Sequence, residues 1–178
     1  LITKEPSFMP DGFNIVLLWP ELASSASSNT KYTVTPDFLN VISNHGISGG
    51  INSVMTFSHS GGGGPHGNFL KQLAEKNIFD ATIDASRFLD SDYGFSSITK
   101  LFNGLADGSI PAINQSKITF VVGVKHKPHP NPPWKRATKG KGERWENVYN
   151  KGTRLIKLDT DHYPPAYQIG PEYLFPSV

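Results

Sequence analysis

The run Val54-Met55-Thr56-Phe57-Ser58-His59-Ser60-Gly61-Gly62-Gly63-Gly64-Pro65-His66-Gly67 carries an apolar strand pattern straight into a serine boxed by small residues and then into a helix. Within it, Ser58-His59-Ser60-Gly61-Gly62 fits a relaxed nucleophile elbow. In that strand–turn–helix the residues two before and two after the serine are small, so the backbone can turn sharply. Read in this way, Ser60 is the displayed nucleophile. The same glycines spell Gly62-x-Gly64-x-x-Gly67, a phosphate-cradling fingerprint, so the run alone supports two chemistries.

Outward from this stretch, apolar or alternating runs at 13–19, 51–57, 79–84, 118–124 and 153–159 predict strands. The runs at 13–19 and 118–124 carry little polarity on either face, as in interior parallel strands covered on both sides. Helices fit between the strands. Thr35, Pro36, Phe38, Leu39, Val41 and Ile42 open one that Asn44-His45-Gly46 ends. Phe69, Leu70 and Leu73 give a second through Lys76, and Ile98, Leu101, Phe102 and Leu105 a third after Ser96-Ser97. A fourth lies around Trp145, Val148 and Tyr149. The alternation predicts an α/β fold of three layers, a doubly wound and mainly parallel sheet of about five or more strands.

The 178 residues, 37% of them hydrophobic, suit a single domain spanning 1–178 with its own core. Seventeen basic against fifteen acidic residues leave a net charge of +2, too small to demand nucleic acid as an obligate partner. With no cysteine, disulfides, thiolate zinc sites and a cysteine nucleophile are excluded. No segment reaches the roughly 18 consecutive apolar residues of a membrane helix. The start, Leu1-Ile2-Thr3-Lys4-Glu5-Pro6, has neither an initiator Met nor a signal-peptide profile, so a soluble chain processed or truncated at its N-terminus is expected, in a compartment left open. The one strongly biased segment is the Pro- and Lys-rich loop 125–142. It is read either as a solvated loop or as a rim that attracts an anionic substrate, with Trp134, Lys135 and Arg136 as binding residues.

A serine hydroxyl needs a base to take its proton and a third group to orient that base. In a parallel sheet reactive groups gather at the C-terminal strand ends. The 79–84 run ends in Asp84, and His162 follows the last run, so these two are the expected partners of Ser60. Asp80, Asp90 and Asp92 compete for the role of the acid. His59 and His66 are read as structural or pocket residues, and His59 is placed with the substrate-binding set. No metal site is expected: His126-Lys127-Pro128-His129 is not helical and brings its own repelling lysine.

Through Phe57-Ser58-His59-Ser60-Gly61-Gly62, the Thr82-Ile83-Asp84-Ala85-Ser86 segment and the terminal strand with His162, the chain resembles the α/β-hydrolase superfamily, whose order is nucleophile, acid, histidine. The resemblance implies acyl transfer on an ester or amide, without a cofactor, with Ser60, Asp84 and His162 as the triad. It also implies that the backbone N–H of Gly61 donates to the oxyanion, and that a second donor comes from the loop beginning Trp19-Pro20-Glu21-Leu22. The partner is then a small-molecule or polymer acyl substrate, with the oligomeric state left open. Two other readings stand beside it. One is a non-catalytic binding or structural domain on the same sheet. The other is a nucleotide-binding domain in which Gly62, Gly64 and Gly67 cradle phosphate and Asp84 meets a ribose hydroxyl.

Overall fold

The structure, a computed structural model, describes residues 53–91, 96–123 and 152–159. Strand β1 (Met55–His59) leads through a 3-10 turn at Ser60–Gly62 into helix α1 (Gly63–Glu75). A short helix α2 (Phe79–Thr82) precedes β2 (Ala85–Leu89), and α3 (Ser96–Asp107) connects β2 to β3 (Ile118–Gly123). Strand β4 (Arg154–Leu158) completes a four-stranded sheet in the order β1-β2-β3-β4. All three pairings are parallel, with Thr56 beside Ser86, Phe88 beside Phe120 and Val121 beside Ile156.

Because side chains alternate along each strand, this register sorts them onto two faces. On one, Phe88, Ile118 and Phe120 pack with Phe69, Leu70 and Leu73 of α1 and Ile98, Leu101 and Phe102 of α3. Leu89 and Val121, with the partly buried Ile156 and Leu158, form a smaller cluster on the other. Among the described residues both long helices thus cover the same face, as expected when each right-handed crossover adds its strand on the same side. No helix among them is long and apolar enough to cross a membrane.

Helix α1 forms despite its glycines because its first turn has little to lose. Pro65 sits where the backbone N–H would have no intrahelical acceptor, and Phe69, Leu70, Leu73 and Ala74 make one buried stripe. It ends where Asn77 turns left-handed at φ 55°, with the Asn77 N–H donating to the Ala74 carbonyl and the Ile78 N–H to that of Leu73. Those two bonds close a Schellman motif. The helix lies close to α3: a Cβ on Gly67 would stand 2.6 Å from Ile98 Cγ1, and Ser97 Oγ donates to the Gly64 carbonyl at 2.6 Å.

The closest approach is at Gly63, where an added Cβ would fall 2.0 Å from the Ser91 carbonyl oxygen and 3.0 Å from Ser91 Cβ. Backbone cannot yield as a flexible side chain can. Gly63→Ala is therefore expected to cost about 3 kcal/mol or more, at the upper end of overpacking penalties. Urea unfolding of the full-length variant checks this, and an unchanged midpoint would contradict the contact.

The run at 79–84 is not a strand. Phe79–Thr82 is helical, and the strand begins at Ala85, after the residues whose alternation suggested it. Phe79 is buried in the core, while Asp80 accepts the Asn114 N–H at 3.0 and 3.1 Å and its carbonyl accepts Lys117 Nζ at 2.7 Å. The true strand is less apolar because its polar groups have partners in the fold. Ser86 Oγ meets His66 Nε2 at 3.0 Å, and Arg87 donates to the Ser86 and Lys117 carbonyls. The first run is also shifted, from 51–57 to Met55–His59, while the runs at 118–124 and 153–159 correspond to β3 and β4. The run at 13–19, the helices at 35–46 and around Trp145, and the whole of the loop 125–142 lie outside the described residues.

Candidate active site

At the end of β1 the backbone of Ser60 is left-handed, φ 51°, between an extended His59 and the right-handed Gly62 and Gly63. The Gly63 N–H donates to the Ser60 carbonyl and closes the turn. A non-glycine residue held in this region costs about 1–3 kcal/mol and persists only where the surroundings over-determine it. A Cβ on Gly62 would stand 3.4 Å from Ser58 Cβ, an ordinary van der Waals contact, so the turn brings positions 58 and 62 against each other. Gly61 is buried directly after the partly exposed Ser60.

A second left-handed residue stands beside the first. Asp90, φ 43°, follows β2 as Ser60 follows β1, each one position beyond the paired His59 and Leu89. Adjacent strands run about 4.8 Å apart, so the two residues occupy neighbouring strand ends at the same edge of the sheet. The Asp90 N–H donates to the Val121 carbonyl at 2.6 Å, and the residue is buried.

Beneath this edge lies a buried polar network centred on His66, on the first turns of α1. Its Nδ1 is 2.9 Å from Ser58 Oγ, and its Nε2 is 2.9 Å from Thr56 Oγ1 and 3.0 Å from Ser86 Oγ. Ser58 Oγ is 2.9 Å from Ser91 Oγ, which donates to the Ser58 carbonyl at 3.1 Å. The ring stacks on Phe88 at 4.3 Å, and Phe88 stacks on Phe120 at 4.6 Å. Both ring nitrogens thus have hydroxyl partners, one nitrogen donating and the other accepting in the neutral imidazole, and the chain of hydroxyls ends on the Ser58 carbonyl, which accepts from Ser91.

Burial holds the His66 pKa down to about 3, so it is neutral wherever the domain is folded near neutrality and cannot take the serine proton. Between pH 6.5 and about 3 the unfolded chain binds a proton at this residue that the folded chain does not. Stability is thus expected to fall on acidification through that window, by at most about 1.4 kcal/mol per pH unit, and to be independent of this group above it. Urea titrations at pH 7 and pH 5 on the protein and on His66→Gln check this: the glutamine variant should lose that part of the slope. On the other face, Arg87 has its pKa lowered by burial and secondarily by the charge of Arg154.

The structure does not bring Asp84 to Ser60. Asp84 precedes β2, where its N–H donates to the Val54 carbonyl at 2.9 Å and its Oδ2 accepts the Val54 N–H at 2.7 Å. Six residues of strand, roughly 20 Å, separate Val54 from Ser60, so Asp84 lies at the opposite edge of the sheet. The correction follows from the shifted strand: the residue expected to end β2 precedes it. Asp80 lies on that N-terminal side too, in α2. His59 ends β1 next to Ser60. His162, Asp92, Trp134, Lys135, Arg136 and the loop beginning at Trp19 lie outside the described residues. Strand β4 carries the chain to the Ser60 edge, with Asp159 its last described residue.

Gly62 caps α1 and Gly64 and Gly67 lie inside it, with the space beside Gly63 and Gly67 filled by Ser91 and Ile98. Strand β4 lies beyond β3, whereas in the dinucleotide-binding order 3-2-1-4 the fourth strand pairs with the first. Sequence reasoning missed the roles of Ser58, Thr56, Ser86 and Ser91 around His66. The signal was a polar stripe, Thr56 and Ser58, alternating along an otherwise apolar strand. No protein-family model, curated protein or solved structure matches the chain.

Proposed function

We propose that this chain is a serine hydrolase of the α/β-hydrolase kind, cleaving an ester or amide through an acyl-enzyme on Ser60. The observation that supports it most is the left-handed Ser60, φ 51°, held between a parallel strand and a helix N-terminus. That strained turn lifts a hydroxyl to the C-terminal edge of a sheet, where a base and an acid can converge on it. In this reading Ser60 Oγ attacks the acyl carbonyl while His162 accepts its proton, and the Gly61 N–H receives the oxyanion. His162 then protonates the leaving group, and water releases the acyl group by the same steps in reverse. Asp90, at the same edge as Ser60, replaces Asp84 as the carboxylate that orients the histidine.

The same reading extends the observed parallel layer into a doubly wound sheet of five or more strands in one domain. It makes the loop 125–142, which continues from β3 at Gly123, a basic rim that favours anionic acyl substrates through Trp134, Lys135 and Arg136. A fluorophosphonate probe tests the proposal. Covalent labelling of the full-length protein, mapped by peptide mass to Ser60, is expected. An unlabelled Ser60, or equal labelling of several surface serines, would overturn it.

A further inference from the structure

Two strained residues at neighbouring strand ends need something to keep them in register. The β1–β2 ladder ends one residue short of both Ser60 and Asp90. Beyond it, side-chain bonds of Ser58 and Ser91 join the two ends. The Ser58 and Ser91 hydroxyls meet at 2.9 Å, Ser91 Oγ reaches back to the Ser58 carbonyl at 3.1 Å, and Ser58 Oγ also meets Nδ1 of His66 on α1. Ser58 lies two residues before the proposed nucleophile, and Ser91 directly follows Asp90.

We propose that Ser58 and Ser91, anchored by His66, are positioning residues that clamp the Ser60 turn to the Asp90 turn. This rests on the hydrolase reading for its catalytic meaning, but the clamp itself is a physical statement about two turns. An elbow needs only a small residue at position 58, and glycine or alanine would satisfy the sterics beside Gly62. A serine there is more than small: its hydroxyl meets Nδ1 of His66 on one side and the Ser91 hydroxyl on the other. The clamp is insulated, since Ser91 is fully buried and Ser58 and His66 nearly so, and water cannot replace a missing partner without entering the core. A buried hydroxyl left without its partner is costly, so deleting either one should loosen both turns together. Strain stored at Ser60 and Asp90 makes these turns the segments most ready to relax once released.

The test is a double-mutant cycle on the full-length protein with Ser58→Ala, Ser91→Ala and the pair together. Amide hydrogen exchange is read over 60–63 and 89–91, with the core of α3 as reference. Each single variant is expected to speed exchange in both segments about tenfold while the α3 core stays protected, and the double variant should add little to either. The rate of fluorophosphonate labelling at Ser60 should fall about tenfold in the same variants, with the saturation constant for the probe unchanged. Exchange that rises only in the mutated segment, or effects that multiply in the double variant, would overturn the clamp. If wild-type Ser60 is not labelled at all, the hydrolase reading fails, while the exchange cycle still decides the clamp by itself.

Discussion

Ser60→Ala is expected to lower turnover of an activated ester by about 10⁵-fold while leaving the unfolding midpoint nearly unchanged. The size of the loss follows from the acyl-enzyme mechanism, in which removing the nucleophile costs as much as removing the whole triad, about 10⁶-fold in a well-studied protease. The preserved stability follows from the backbone. Alanine at φ 51° carries much the same left-handed penalty as serine, so the exchange removes the oxygen without altering the strain. Ser60→Gly separates the two effects. It should be just as inactive but more stable by about 1 kcal/mol, because glycine occupies the left-handed region without a Cβ penalty. A protein that gives up stability at one serine, and gains it when that serine is removed, behaves as strained catalytic turns do. Full activity in Ser60→Ala would remove the mechanism, whatever the geometry of the turn.

Asp90→Asn and Asp84→Asn should differ by orders of magnitude. Asparagine at position 90 keeps the left-handed backbone, which it tolerates about as well as aspartate, and keeps an acceptor oxygen. What it loses is the carboxylate charge that fixes the tautomer of the base and stabilises the imidazolium. That loss is worth about 10⁴-fold in kcat where the acid of a triad has been replaced in this way. Asp84→Asn changes a residue at the far edge of the sheet, whose carboxylate accepts the Val54 N–H. An amide oxygen can still accept that bond, so kcat should stay within about twofold and stability within about 1 kcal/mol. Steady-state kinetics on the two purified variants decide the matter. Equal losses, or a larger loss at position 84, would return the acid to where the sequence alone suggested it.

The reversal between these two aspartates shows where sequence reasoning stops. Hydrophobic periodicity was reliable at α1, α3, β3 and β4, where the buried face is made of Leu, Ile, Phe and Val and faces a uniformly apolar neighbour. It misplaced β2 by several residues. The alternation of Phe79, Ala81 and Ile83 imitates a strand, but Phe79 is buried from a short helix, and the real strand contains Ser86 and Arg87. Those polar residues are accommodated because Ser86 meets His66 and Arg87 donates to the Lys117 carbonyl as well as to that of its neighbour Ser86. A window of sequence has no means of counting partners that arrive from twenty or thirty residues away.

For the proposed site, the local pattern suggested the nucleophile, and the fold is what points to Asp90 as the acid. Ser58-His59-Ser60-Gly61-Gly62 indicated by itself that a strand turns into a helix at Ser60, because small residues around a serine favour a sharp turn and the whole pattern lies within five consecutive positions. Which end of the sheet each aspartate occupies, and that Ser58 and Ser91 share hydroxyls above a buried neutral His66, depended on the register of two strands separated by a helix and on the burial they create together. Register is a long-range property: a shift of a few residues leaves composition and periodicity almost unchanged, yet it moves a carboxylate from one edge of the sheet to the other.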